Sequence, residues 1–262
     1  MNERIGELWL ERRAPAAPRF RARLLLVHGM WGGSWYWTNY LRRFAEAGWE
    51  AWAVNLRGHH GSHPSVEVGG VGVRDYVADV LACVAHIGDV VVVGHSLGGL
   101  VAQQVAAETP LRAAVFLASA APRGIVVLRW AVLARLVRYA GPIFRGRPFL
   151  PSPADADALL FNNLAADLRR DAYARLVPES GRAARELALG LVAVDAARVR
   201  CPTLVVGGRL DAMTPAAVQR RIAAKYGAEY REWPGHAHMP MLEAGWEAGA
   251  GELLGWLAKV GA

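Results

Sequence analysis

The chain has 262 residues, 53% of them hydrophobic, and carries a formal net charge of +7. That length and apolar content are enough to bury a full core, which excludes a disordered chain and suits a single α/β domain with an insertion. The positive balance excludes less, but the arginines are scattered through helical stretches and no basic run is interleaved with aromatics. This pattern describes an Arg- and Ala-rich surface and argues against a nucleic-acid partner.

The opening Met1 to Leu10 carries Glu3, Arg4 and Glu7 and holds no apolar run of signal-peptide length. No window reaches the ~18 uninterrupted apolar residues of a spanning helix, so no stable membrane insertion is expected and a cytoplasmic location is the default. Cys83 falls in an amphipathic helix and Cys201 at the start of an apolar strand, where each reads as a small buried hydrophobe.

In chain order, Glu7 to Arg13 alternates weakly and predicts an edge strand, with Pro15 and Pro18 marking a turn. Arg23 to Val27 is a short buried strand. It runs into the glycine-rich loop His28-Gly29-Met30-Trp31-Gly32-Gly33, the kind of loop that builds a binding crevice at the end of a central strand. Trp35 to Ala47 predicts a helix closed by Gly48, and Ala51 to Leu56 predicts a strand. The turn that follows holds His59, His60 and His63. Adjacent histidines in a glycine-rich loop without a cysteine or carboxylate nearby fix a loop more often than they bind a metal, and no metal is expected. Arg74 to Ile87 then reads as a helix.

The stretch from Asp89 to Val101 organises the rest. Val90 to Val93 is a buried strand, and Leu97, Leu100, Val101, Val105 and Ala106 share one face of the helix that follows. Between them, Gly94-His95-Ser96-Leu97-Gly98 fits the G-x-S-x-G nucleophile elbow, which lifts a serine hydroxyl clear of the sheet on a strained turn. Larger residues at Gly94 or Gly98 would collide with the neighbouring helix and strand. In such a site the residue after the serine and the glycine-rich loop each offer a backbone N–H to an oxyanion, here Leu97 and Met30.

After a strand at Ala113 to Ala118 the strand–helix rhythm stops between about Pro122 and Arg200. Val126 to Tyr139 is apolar and punctuated by arginines, Pro148, Pro151 and Pro153 interrupt the chain, and Ala154 to Arg170, Ala172 to Leu176 and Ser180 to Leu191 predict helices. This organisation predicts a core of residues 1–121 and 201–262 with a helical cap of residues 122–200. The cap is inserted after the sixth strand and lies over the strand ends as an apolar wall. A helix lying on a membrane surface is the alternative for Val126 to Tyr139. The rhythm then resumes. Thr203 to Val206 is a strand ending near Asp211, Thr214-Pro215 starts a helix, Glu229 to Trp233 is the last strand, and Ala244 to Val260 is the closing helix. Asp211 after one strand and His236 or His238 after the next give the order Ser, Asp, His.

These residues carry a resemblance. His28-Gly29 with Gly33, Trp35 and Trp37, Leu56-Arg57-Gly58-His59 with Gly61-Ser62, Gly94 to Gly99, Glu179-Ser180, and His238 with Met241-Leu242-Glu243 and Gly245-Trp246 together look like bacterial serine esterases and lysophospholipase-like hydrolases. That group belongs to the α/β-hydrolase fold superfamily, which the chain resembles over essentially its whole length. The resemblance implies a carboxylic-ester hydrolase without fixing its substrate. The repeated strand–helix–strand units predict a mostly parallel central sheet flanked by helices. The apolar cap facing the aromatic loop points to a small hydrophobic ester or thioester, and no cofactor is expected. The resemblance leaves the oligomeric state open. His60 departs from it where glycine is usual, and His236 is an extra histidine. The same fold also serves lyases, cofactor-free oxygenases and receptors that keep the triad, so these stay as alternatives.

The expected catalytic set is Ser96 as nucleophile, His238 as base and Asp211 holding the imidazole, with Met30 and Leu97 forming the oxyanion hole. Asp195, which precedes its strand, is the weaker candidate for the acid. His28, Gly29, Trp31 and His95 are expected to contact substrate. Trp31 is expected to face the acyl group, and at least one of Trp35 and Trp37 to pack into the core.

Overall fold

Strands that are apolar without alternation form the middle of the sheet, because a parallel strand covered by helices on both faces has no solvent side. The computed structural model describes residues 1–126 and 130–261. Its strands are β1 (Asn2–Ile5), β2 (Leu8–Arg13), β3 (Arg23–Val27), β4 (Ala51–Val54), β5 (Val90–His95), β6 (Ala113–Leu117), β7 (Thr203–Gly208) and β8 (Glu229–Trp233). They form one sheet in the spatial order β1-β2-β4-β3-β5-β6-β7-β8. From β4 to β8 neighbours run parallel, while β1 and β2 join antiparallel at one side. Val90 to Val93 on β5 are at most 1% exposed, and each such side chain contributes about 1.5–3 kcal/mol through burial.

The flanking helices are α1 (Thr38–Glu46), α2 (Val73–Ile87), α3 (Leu97–Glu108), α9 (Ala216–Tyr226) and α10 (Trp246–Lys259). Between β6 and β7 the chain instead forms short helices: α4 (Trp130–Leu136), α5 (Ala140–Arg145), α6 (Pro153–Leu159), α7 (Ala166–Ala174) and α8 (Gly181–Ala188). No helix among the described residues is long and apolar enough to cross a membrane.

Three expectations are corrected. The Glu7 to Arg13 segment is a strand but not an edge, because Gly6 at φ 58° turns the polar N-terminal Asn2–Ile5 back to pair outside it. Ala154 to Arg170 is not one helix. It breaks between α6 and α7, where Phe161 and Leu164 are buried and Asn162 and Asn163 donate to Leu210 O and Gly235 O. Long-range hydrogen bonds there outweigh local helix propensity. The helix expected at Val126 to Tyr139 is α4 followed by a 3₁₀ turn at Val137–Tyr139, and residues 127–129 of that expectation lie outside the described residues.

The order of strands reverses at β3, which lies between β4 and β5. Loops leaving the carboxyl ends of β3 and β5 therefore diverge, and this is where an open α/β sheet forms its crevice. The loop 28–37 leaves β3 there and Ser96 leaves β5 beside it.

Candidate active site

Ser96 sits between β5 and α3 at φ 53°, a left-handed conformation that costs a non-glycine residue about 1–3 kcal/mol. Backbone bonds hold it there. Its N–H donates to Leu117 O at 3.1 Å, and its carbonyl accepts from Gly99 N at 2.9 Å and Ala120 N at 2.8 Å. The flanking glycines are required by contact. A Cβ on Gly94 would lie 2.1 Å from Gly98 O on α3, and one on Gly98 would lie 2.4 Å from the carbonyls of Val27 and His28 on the β3 side. The expected collisions with helix and strand are both present.

His238, on the loop after β8, brings its Nε2 to 3.1 Å from Ser96 Oγ and its Nδ1 to 3.0 Å from Asp211 Oδ2. Asp211 Oδ1 accepts the N–H groups of Met213 at 2.7 Å and Thr214 at 2.8 Å, and Thr214 Oγ1 lies 2.8 Å from Oδ2. Burial alone would raise the Asp211 carboxyl, but the His238 ring and the Thr214 donors outweigh it and hold the pKa below the ordinary value. An ionised Asp211 places the imidazole proton on Nδ1 and leaves Nε2 free to accept the serine proton. The three side chains are almost fully buried.

Of the two histidines after β8, only His238 reaches Ser96. His236 Nδ1 lies 3.2 Å from Glu243 Oε2, and its ring packs near Trp233. Glu243 spans the loop: it accepts Ala237 N at 2.8 Å and Met239 N at 2.9 Å, the amides on either side of His238, and also Asn163 Nδ2 at 3.1 Å. Asp195 caps a 3₁₀ turn through Ala197 N.

The loop after β3 passes directly over the serine. A Cβ on Gly29 would lie 2.8 Å from Ser96 Cβ and 2.9 Å from His95 Nδ1, so only glycine permits that approach. Met30 carries the next N–H along this loop, and its carbonyl accepts from Tyr36 Oη at 3.2 Å. Leu97 opens α3, where a first-turn N–H has no acceptor within its own helix. Trp31 follows at φ 61° and is only 2% exposed. Its Nε1 donates to Phe149 O at 3.2 Å and its ring packs edge-on against Phe149. Trp35 and Trp37 are both buried, as expected of core residues, and the Arg175 guanidinium lies 4.4 Å over the Trp35 ring.

Two of the expected substrate contacts are corrected. The His28 ring is fully buried. Nδ1 donates to Gly29 O at 2.7 Å and Nε2 accepts from Leu56 N at 3.1 Å, which spends both nitrogens on backbone. His95 lies beneath the base loop, with Nε2 at 2.8 Å from His238 O and its ring 4.9 Å from that of His238. Burial, followed by the neighbouring His238, pushes its pKa down to about 3 and keeps the ring neutral. Both histidines shape loops.

His59, His60 and His63 turn to separate partners. His59 Nε2 faces Glu179 Oε2 at 3.3 Å, His60 packs at Gly33, and His63 Nδ1 lies 2.9 Å from Glu7. Among the described residues no group of three or more His, Cys, Asp or Glu side chains is placed to hold a metal ion. The contacts of Glu243 and Asn163 were not read from the sequence, because a buried carboxylate or amide in a loop carries no periodic signal.

With this geometry in hand, the relatives are informative. The chain is 28% identical over 256 residues to "Putative carbamate hydrolase RutD" of Variovorax paradoxus (strain S110), covering 91% of this chain and 92% of that protein. It shares its fold with a thermophilic esterase from Thermogutta terrifontis, at a TM-score of 0.73 and 22% identity over 97% of this chain and 94% of that one. An enol-lactonase from Burkholderia xenovorans LB400 matches with a TM-score of 0.73 and 19% identity, covering 98% of this chain and 100% of that one. A model of the Alpha/beta hydrolase family matches residues 24–250, and the chain belongs to that family.

Proposed function

We propose that the protein is a serine hydrolase that cleaves a carboxylic ester or thioester of a small hydrophobic molecule through an acyl-enzyme on Ser96. The observation that carries this reading is the run of hydrogen bonds from Ser96 Oγ through His238 to Asp211, at 3.1 and 3.0 Å, on a strained elbow. Ser96 Oγ attacks the carbonyl carbon while His238 Nε2 takes its proton. Asp211 stabilises the imidazolium, which then protonates the leaving alcohol or thiol. The N–H groups of Met30 and Leu97 receive the oxyanion, each contributing about 3 kcal/mol in comparable sites. Water repeats the sequence on the acyl-enzyme and frees Ser96.

In this reading residues 1–121 and 201–262 are the core and residues 122–200 the cap. The cap reaches the site through Trp31 and through Asn163. A carbamate presents the same kind of carbonyl, and the relative named for carbamate hydrolysis makes it the second substrate class to assay. The test is fluorophosphonate labelling, followed by turnover of p-nitrophenyl esters of increasing chain length and of a p-nitrophenyl carbamate. Wild type should label and Ser96→Ala should neither label nor turn over while keeping its circular dichroism spectrum. Labelling retained by the alanine variant would overturn the assignment.

A further inference from the structure

One buried carboxylate of the inserted segment has no part in the relay above, yet it touches the loop that carries Met30. Glu179 is 0% exposed and lies in the loop before α8. Its Oε1 accepts Tyr76 Oη from α2 at 2.5 Å and Ser180 N at 2.7 Å. Its Oε2 accepts Trp31 N at 3.3 Å and faces His59 Nε2 at 3.3 Å. Three hydrogen-bond donors and a histidine ring, from four places in the chain, therefore converge on one carboxylate.

Trp31 is the residue that needs such a hold. Its φ of 61° is a left-handed conformation in a bulky side chain, which persists only where the surroundings impose it. Each of its polar groups is tied to the inserted segment: the N–H to Glu179, the carbonyl to Val177 N at 2.9 Å, and the indole Nε1 to Phe149 O. The peptide that Glu179 and Tyr36 hold is the one directly after Met30, so the pinning of Trp31 constrains the loop on that side of the Met30 N–H.

We propose that Glu179 is a positioning residue, through which the inserted segment sets the oxyanion loop and so the donor that Met30 presents to the reacting carbonyl. This rests on the Ser96 reading above. The carboxylate acts as an acceptor and makes no contact with the reacting atoms. His59 faces it at 3.3 Å: burial alone would lower the His59 pKa, but Glu179 outweighs it and raises it. The Glu179 carboxyl is in turn held below its ordinary range, since His59 and its hydrogen-bond donors outweigh the cost of burial.

An amide at this position cannot replace the carboxylate, because each oxygen already accepts a backbone N–H and one of them would become an NH₂ donor. Glu179→Gln should lower kcat by about thirtyfold, a fraction of the loss on removing an oxyanion donor outright, while KM stays within about threefold. In the same variant, amide hydrogen exchange at Trp31 should quicken by at least about tenfold, while Val91 to Val93 of β5 stay protected. Glu179→Asp, which keeps both oxygens and the charge, should recover part of the kcat. It also serves as the test variant if the glutamine form does not fold.

Unchanged exchange at Trp31 would overturn the proposal, as would faster exchange with unchanged kcat, or a rise in KM that accounts for the whole loss. Those outcomes leave the Ser96 reading standing if Ser96→Ala loses labelling. Labelling retained by Ser96→Ala removes that reading and this proposal together.

Discussion

The sheet and the segment inserted between β6 and β7 are held together by different physics. In the sheet, Leu24 to Val27 of β3, Val90 to Val93 of β5 and all of β6 are apolar and almost wholly buried, so hydrophobic burial holds these strands in the middle of the sheet. In the inserted segment the helices are short, and beside buried apolar anchors such as Phe149, Phe161 and Leu164 stand buried polar ones. Asp155 gathers Arg135, Arg138, Tyr139 and Ser152, and Glu179 gathers Trp31, His59, Tyr76 and Ser180. Large apolar side chains also stay outside: Val137 is 67% exposed, Phe144 59% and Leu191 55%. The sheet is a layer that patterning alone can build. The insertion is also tied on by polar contacts, and those of Glu179 and Asn163 land on the loops after β3 and β8.

The sharpest test of that contrast is at the end of the sheet where the two layers meet. His238→Ala should lower kcat by about a thousandfold or more, since under the proposed function it removes the group that takes the serine proton. His236→Ala should cost less than about tenfold, because that ring braces Glu243 and does not reach Ser96. Steady-state kinetics on one ester separates them, and the reverse ranking would move the base to the other histidine.

A second comparison sets a glycine of the sheet layer against one of the insertion. Gly94→Ala drives a methyl group into the α3 backbone at Gly98 and should cost more than about 3 kcal/mol in urea unfolding. Gly190→Ala meets nothing within 4 Å, so it carries only the penalty of its φ of 59°, about 1 kcal/mol. Equal losses would mean that the insertion is packed as tightly as the sheet.

The smallest effect concerns pH. His95 is held neutral down to about pH 3, and burial depresses His28 and His60 as well. As the pH falls from about 6.5, the unfolded chain binds protons that the folded chain refuses, so these groups lower stability with acid. His59 works the other way. Its pKa is raised, so its contribution is complete below the unfolded value and is lost as the pH rises through the folded one. The lowered carboxylates Asp211, Glu179 and Glu243 lose their contribution only when the pH falls further, below the ordinary carboxylate range. His95→Asn should therefore flatten the decline in unfolding free energy between pH 6.5 and 4.5, by at most ~1.4 kcal/mol per pH unit for one proton. An unchanged slope would show that His95 titrates alike in both states.

The sequence by itself determined the parallel middle of the sheet, the elbow at Ser96 and the Ser, Asp, His order. Each of these is written in local signals: uninterrupted β-branched runs, glycines at fixed offsets from one serine, and turns at strand ends. It also placed an extra histidine, His236, beside the expected base, joined α6 and α7 into one helix, and gave His28 and His95 to the substrate. Tertiary structure decided those points, because each turns on a partner far away in the chain. Glu243 takes His236 and clamps the amides beside His238, Leu210 and Gly235 draw Asn162 and Asn163 out of a helix, and backbone groups at Leu56 and His238 occupy the buried rings. Periodicity records which face of an element is apolar. It does not record which buried polar group will satisfy another, and that pairing forms only once the sheet has brought its loops together.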